Sequence, residues 1–240
     1  MVKISERLRT AAGLIGEGER LADVGTDHGY VPIYLVEQKR IPSAIAMDIR
    51  TGPLERAREH IRMYGMEDYI QTRLSDGVAA LKPGEADSIL IAGMGGGLVI
   101  HILESGRTVC EQAHGLVLQP QSELPKVRRF LAENGYVTER EDMVMEDGKY
   151  YPMMRVHYDA SAVSHTDSFT EEQELEFRYG KQLLTEKHPV LLAYLRWEAQ
   201  IQQDILTQLS GQPATEQIAA RIDEVKQILA QNARALAYYE

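Results

Sequence analysis

Five short stretches of this chain carry glycines, acids or amides where a ligand could meet them, and their spacing points to nucleotide chemistry. In Asp23-Val24-Gly25-Thr26-Asp27-His28-Gly29-Tyr30 two glycines stand four residues apart. Glycine lets a backbone turn tightly and approach a ligand with no Cβ in the way. The dinucleotide fingerprint is G-x-G-x-x-G; this G-x-x-x-G differs from it, and a plain strand-to-helix turn is a second reading. Asp48 closes Ala46-Met47-Asp48, 23 residues after Gly25. A carboxylate there can accept both hydroxyls of a ribose; alone it would serve equally as a helix cap. Asp76, in Leu74-Ser75-Asp76-Gly77, can accept the exocyclic amine of an adenine or simply make a turn. Gly93-Met94-Gly95-Gly96-Gly97 holds four glycines in five positions. Ordering each costs roughly 0.5–1 kcal/mol relative to alanine. That is more glycine than a turn needs, so a ligand is expected against the backbone, with Met94 as an apolar wall or as core. Gln119 and Gln121 flank Pro120 and can meet a base edge or cap the next helix.

Each motif must be held by something, and the intervening sequence says what. Residues 3–15 have apolar side chains at helical spacing. Residues 20–24, 44–48, 70–74, 88–92 and 116–118 are short strand-like runs. Between them, 31–38, 52–64, 98–105 and 125–134 read as helices. Residues 137–145 and 150–158 are extended segments around Glu146-Asp147-Gly148, a hairpin signal. Strands alternating with helices and closing on a hairpin predict a doubly wound α/β sheet. Strands covered on both faces read as continuous apolar runs, as Ser88-Ile89-Leu90-Ile91-Ala92 does. Every motif above then falls at the carboxyl end of a strand, where such sheets bind nucleotides.

After Tyr158 the composition changes. Residues 159–168 are polar and read as a linker. Thr170-Glu171-Glu172-Gln173 starts a helix, which His188-Pro189 interrupts. Leu191, Leu192, Leu195, Ile201, Ile205 and Leu209 form an apolar stripe, and Ser210-Gly211-Gln212-Pro213 breaks it. Residues 215–236 form the last helix, with Ile218, Ile222, Val225, Ile228 and Leu229 on one face. An antiparallel helical hairpin, coiled-coil-like, is expected. The domain boundaries follow as 1–160 for the sheet domain and 168–240 for the helices.

Composition narrows the class. The chain has 240 residues, 44% hydrophobic, a formal net charge of −10 and one cysteine. That is a globular composition, not a disordered one. A single Cys110 closes no internal disulfide and supplies no Cys-rich zinc site, so no metal and a reducing compartment are expected. No uncharged stretch reaches the roughly 18 residues of a membrane span, and charges at Lys3, Glu6 and Arg7 occupy the apolar region of a signal peptide. The expectation is a cytoplasmic protein without a membrane partner, taken as a monomer. The acidic balance counts against a nucleic-acid partner unless a local basic patch supplies the contact.

Taken in order, the strand-end motifs resemble the class I S-adenosylmethionine-dependent methyltransferases, whose parallel sheet ends in an antiparallel pair. More narrowly, Asp-Val-Gly-Thr-Asp-His-Gly-Tyr-Val-Pro from Asp23, Asp48 with Gly52-Pro53-Leu54, Leu-Ser-Asp-Gly, Ala-Gly-Met-Gly-Gly and Leu-Gln-Pro-Gln resemble the bacterial tRNA adenine N1-methyltransferases acting at tRNA position 22, the TrmK-like family. The opening Ile4-Ser5-Glu6-Arg7-Leu8 and the helical C-terminal part are similar too. One departure from the general methyltransferase loop is Asp27, where a second glycine is usual.

The resemblance implies a Rossmann-like seven-stranded sheet, S-adenosyl-L-methionine as cofactor, tRNA as partner and 1-methyladenosine as product. It implies cofactor contacts from Asp23, Gly25, Thr26, Gly29, Asp48, Ile49, Asp76, Gly77, Gly93 and Gly95. Asp48 would take the ribose hydroxyls and Asp76 the adenine amine. Asp23 would support the loop or reach the methionine ammonium. Around the target base it implies Asp27, His28, Tyr30 and Met94, with Gly93 and Gly95 shaping the slot. RNA contacts are expected from Lys3, Arg7 and Arg9, from Arg50, Arg56, Arg58 and Arg62, and from Lys126, Arg128 and Arg129. The tail from Asp167 carries seven basic and twelve acidic residues, so it would meet RNA along one edge only. A small-molecule methyltransferase, a nicotinamide oxidoreductase and a non-catalytic binding protein are the competing readings.

Overall fold

A computed structural model describes residues 2–164, 168–213 and 215–240. Part of the expected linker, 165–167, lies outside the described residues. The chain divides into two compact units, Met1–Ser168 and Phe169–Glu240.

The first unit is built on strands β1 (Leu21–Val24), β2 (Ala44–Asp48), β3 (Ile70–Leu74), β4 (Ser88–Met94), β5 (Gly115–Pro120), β6 (Tyr136–Glu146) and β7 (Lys149–Tyr158). Its helices are α1 (Glu6–Gly13), α2 (Tyr30–Glu37), α3 (Thr51–Met63), α4 (Gly96–Ser105), α5 (Arg107–Cys110) and α6 (Leu124–Glu133). The strand order is β3-β2-β1-β4-β5-β7-β6. The first five are parallel; β7 runs antiparallel to β5 and β6. This is the seven-stranded sheet that the resemblance implies. β1 and β4 are neighbours separated by two strands in sequence, so strand order reverses between them and a crevice opens at their carboxyl ends.

Local sequence sets the element ends. The Ser5 hydroxyl accepts the Leu8 N–H and starts α1 later than the spacing predicts. Asp147 and Gly148, with φ of 49° and 73°, form the two-residue loop between paired Glu146 and Lys149, the left-handed pair a tight hairpin needs. Two details of the sheet differ from expectation. β4 continues to Met94 with a register shift against β5 between Ala92 and Met94, and α5 fills a stretch with no helical periodicity of its own. The amino ends of the strands are closed by charge: the Arg155 guanidinium donates to Glu19, Glu139 and the Leu14 carbonyl.

The second unit contains α7 (Glu171–Tyr179), α8 (Lys181–Thr185), α9 (Pro189–Ser210) and α10 (Glu216–Leu236). Thr170 and Gln173 form a reciprocal capping box. The first break comes at Gly180, with φ 97°, ahead of His188-Pro189. α9 and α10 lie side by side. The inward seam of α9 is Leu191, Leu195, Glu198, Gln202, Ile205 and Leu209, spaced alternately by four and three residues, a 3.5-residue repeat. Ile201, expected in the stripe, is exposed; two polar residues take its turn of the seam. Glu198 accepts from Arg178 (2.9 Å), Tyr179 (2.7 Å), Tyr194 (3.0 Å) and Asn232 of α10 (3.0 Å).

Candidate cofactor and active site

The loop after β1 is pinned before it can serve a ligand. The Gly25 and Thr26 N–H groups both donate to the Met47 carbonyl at 2.8 Å. Gly25 has φ 77°, and a Cβ there would collide with the Met94 methyl. Gly29 has φ 70° and lies against Ala57 of α3. Both positions therefore require glycine. Asp23 and Thr26 are buried beneath this loop. Burial pushes the Asp23 carboxyl up to about 6, the Thr26 hydrogen bond opposes that, and the Asp48 charge adds to it. No cation pairs with Asp23 among the described residues, so its ionised form is held at a cost.

Two cavities meet at this loop and share Gly25 and Ala92 in their walls. One, about 290 Å³, is lined by Arg7, Asp23, Gly25, Thr26, Asp27, His28, Gly29 and Tyr30, among others. The other, about 380 Å³, is lined by Asp48, Ile49, Asp76, Gly77, Gly93 and Met94, with Leu98 and Ile102 beyond them. Asp48 is buried and accepts the Arg50 N–H at 2.8 Å; Ile49 is exposed beside it. The second cavity thus offers acids and an apolar wall, the first a buried acid under a glycine turn. Together they form a two-part site that suits a nucleoside carrying a charged tail.

Asp27, His28 and Tyr30 stand at the mouth of the smaller cavity. The Asp27 carboxylate is bound by the Arg56 guanidinium and lies 3.1 Å from His28 Nε2. The Arg56 hydrogen bond holds it below the usual carboxylate range. The Tyr30 ring stacks on His28 at 5.1 Å and on His60 at 4.8 Å. His60 Nδ1 is 3.0 Å from the His28 carbonyl. Sequence reasoning gave His60 no role and gave Arg56 an RNA role. Their four-residue spacing on α3, which puts both on one face, was the available signal.

Near the glycine-rich turn, Gln119 is fully buried. Its Oε1 accepts the Gly93 N–H at 3.1 Å and Arg7 Nη1 at 2.9 Å, so it shapes the wall and is closed to a base; Gln121 stays exposed. Gly95 starts α4 and lines neither cavity. Among the basic candidates, Arg128 is buried against Glu141 and offers nothing to a phosphate. Lys126 pairs with Glu123, and Arg58 donates to Thr72. No group of three or more His, Cys, Asp or Glu able to hold a metal occurs among the described residues. No described helix is long and apolar enough to cross a membrane.

The model of the methyltransferase domain family matches residues 4–154. The tRNA (adenine(22)-N(1))-methyltransferase of Bacillus subtilis (strain 168) is 34% identical over 226 residues, 93% of this chain and 93% of that protein. This chain belongs to that methyltransferase family. Solved structures of the family match it along its length. The B. subtilis M1A22 tRNA methyltransferase TrmK superposes with a TM-score of 0.83 at 33% identity, covering 98% of this chain and 99% of the other. Streptococcus pneumoniae Sp1610, solved in complex with S-adenosyl-L-methionine, gives 0.78 at 31% identity, covering 95% and 100%. Such coverage takes in the helical unit, so both units are part of the family architecture.

Proposed function

We propose that this chain moves the methyl group of S-adenosyl-L-methionine to N1 of adenine 22 in tRNA, giving 1-methyladenosine. The observation that carries the reading is the pair of joined cavities at the β1/β4 crevice, with Asp23, Asp48 and Asp76 at successive strand ends, in a chain of this family. The larger cavity takes the adenosine half: Asp48 accepts the ribose hydroxyls, Asp76 the adenine amine, and Ile49 covers the ring. The smaller cavity takes the methionine half over Gly25, with Asp23 facing the ammonium. Thr26 and Gly29 keep the turn in place beneath it.

The cofactor supplies an electrophilic methyl on a sulfonium. Adenine N1 attacks with a free lone pair, so no side chain has to remove a proton first. The protein's contribution is then placement of the two reactants in line. Charge passes to the base during the transfer, and the Tyr30 and His28 rings with the Asp27 carboxylate stand where that charge develops. Arg56 tempers Asp27, keeping it ionised without leaving a bare anion at the mouth. Gly93 and Met94 line the larger cavity beside the cofactor, the Met94 methyl lying against Gly25, and Gly95, which lines neither cavity, gives the base no slot wall. A base inside folded tRNA must leave its stack, at a cost of a few kcal/mol, which exposed cations such as Arg50 and Arg62 help offset through phosphate contacts.

The test is transfer of labelled methyl to unmodified tRNA transcripts, with the product nucleoside identified after digestion. The expected product is 1-methyladenosine, absent when position 22 is not adenine and strongly reduced in Asp48→Ala. Label that stays out of tRNA while the protein binds S-adenosylmethionine would discard the substrate and keep the cofactor.

A further inference from the structure

The base that receives the methyl must reach the sulfonium, and the sulfonium joins the two halves of the cofactor. In the reading above, that junction falls where the two cavities meet, at Gly25 and Ala92. Gly93 comes next, with φ 78°, and lines the larger cavity. The space that a Cβ on Gly93 would enter is bounded by Gln121 Nε2 and Arg7 Nη1, each 3.7 Å from that point. Arg7 Nη1 is engaged by Gln119. Resting on the reaction proposed above, we propose that Gln121 reads the Hoogsteen edge of the target adenine. Its Nε2 donates to N7, and its Oε1 accepts a hydrogen of the N6 amine.

The two amides of Gln119-Pro120-Gln121 have different surroundings. Gln119 is fully buried; its Oε1 is taken by the Gly93 N–H and Arg7, and its Nε2 donates to the Pro120 carbonyl at 3.4 Å. Gln121 is exposed, and among the described residues its side-chain amide makes no hydrogen bond. Helix capping does not use it. Ser122 Oγ accepts the Gly96 N–H at 3.1 Å, and Glu123 Oε2 accepts the Gly97 N–H at 3.0 Å, so its neighbours cap α4. α6 begins after Glu123 with no side-chain cap. The Gln121 backbone is fixed all the same, its N–H donating to the Met94 carbonyl at 2.8 Å. A free donor and acceptor thus stand on a fixed backbone beside the junction. Chemistry selects the edge they read. An amide can bond both N1 and N6 of adenine, or both N7 and N6. The first arrangement occupies the N1 lone pair that must attack; the second leaves it free. Two bonds on one edge also set the rotation of the base in its plane, which helps bring N1 in line with the methyl. Guanine presents acceptors at both N7 and O6, so Oε1 would face O6, and the same amide disfavours guanine.

Methyl transfer by the full-length chain to ligated tRNA tests this. The probes carry adenosine or 7-deazaadenosine at position 22; the analogue has C–H in place of N7 and keeps N1 and the amine. With the parent protein, kcat/KM should fall about 5- to 150-fold on the analogue. Gln121→Ala should lose a comparable factor on adenosine and nothing further on the analogue. Its calorimetric affinity for S-adenosylhomocysteine should match the parent's. An alanine variant as active as the parent would overturn the proposal. So would a variant that loses as much again on the analogue, because N7 would then be read by another group. Weakened S-adenosylhomocysteine binding would overturn it too, making Gln121 a support of the cofactor cavity. A parent protein that binds S-adenosylhomocysteine and leaves adenosine 22 unmethylated would remove the reaction itself, and the Gln121 role with it.

Discussion

Asp23 and Glu198 are both buried carboxylates, and their surroundings differ in every other respect. Burial alone would raise both. At Glu198 the hydrogen bonds from Tyr179 and Asn232 and the Arg178 charge outweigh burial and leave it below its usual range. At Asp23 only Thr26 opposes burial, and the carboxyl rises to about 6. The helical unit answers its acid within itself. The sheet unit leaves its acid for something that arrives. An acid saturated by partners holds helices in register; an acid with open valence at a glycine turn is poised for a ligand.

Removing the Glu198 carboxylate should break the first half of this contrast most severely. Glu198→Ala removes the carboxylate that Arg178, Tyr179 and Asn232 share, and loss of one partner from a buried pair costs about 3–5 kcal/mol. Urea unfolding should show it, with Glu198→Gln losing less because its amide keeps an acceptor. An alanine variant as stable as the parent would deny Glu198 its structural role. Asp23→Asn should act in the opposite direction. The folded pKa of Asp23 lies above its unfolded value, so its stability is fullest below about pH 4 and is lost as pH rises through about 6. At pH 7.5 the asparagine variant should gain about 1–3 kcal/mol, a gain that vanishes at pH 4, while cofactor binding is lost. An unchanged melting temperature at pH 7.5 would show that the buried charge costs nothing.

A smaller effect should appear in the parent protein alone. Asp23 must be ionised to meet an ammonium, so affinity for S-adenosylhomocysteine should hold above about pH 6 and fall up to about tenfold per unit below it. Flat affinity between pH 5 and 7.5 would detach Asp23 from the ligand. The least change is expected from Arg56→Ala. Both partners of the Arg56–Asp27 pair are about half exposed, and such pairs contribute about 0–1 kcal/mol. Thermal unfolding should barely move, and a large drop would mean that the pair holds the loop rather than tuning Asp27.

The sequence carries the sheet almost completely, because the central strands β1, β2, β4 and β5 are short apolar runs, Glu146-Asp147-Gly148 marks the hairpin of the long β6 and β7, and each ligand-facing residue sits within a few positions of a strand end. Gly25, Asp48 and Asp76 are legible for that reason. What it hides depends on long-range contact. Nothing near Arg7 announces Gln119, 112 residues away. Arg128 looks like any surface cation until Glu141 of β6 covers it. Ile201 misleads because counting apolar residues alone overlooks a seam in which Glu198 and Gln202 keep the 3.5-residue step. The Gly180 break is a local signal, but the apolar residues on either side masked it.

The chain has one cysteine and one tryptophan, and they fall in different units. Cys110, in α5, is fully buried, and burial pushes its thiol up to about 12. A thiol reagent can reach it only when the sheet opens. Trp197, on α9, has half its surface exposed, and its emission follows the helices alone. Without any engineered probe, labelling kinetics at one residue and fluorescence at the other time the unfolding of the two units separately. Coincident clocks would mean that the helices and the sheet melt as one cooperative body, and divergent ones that each unit has a lifetime of its own.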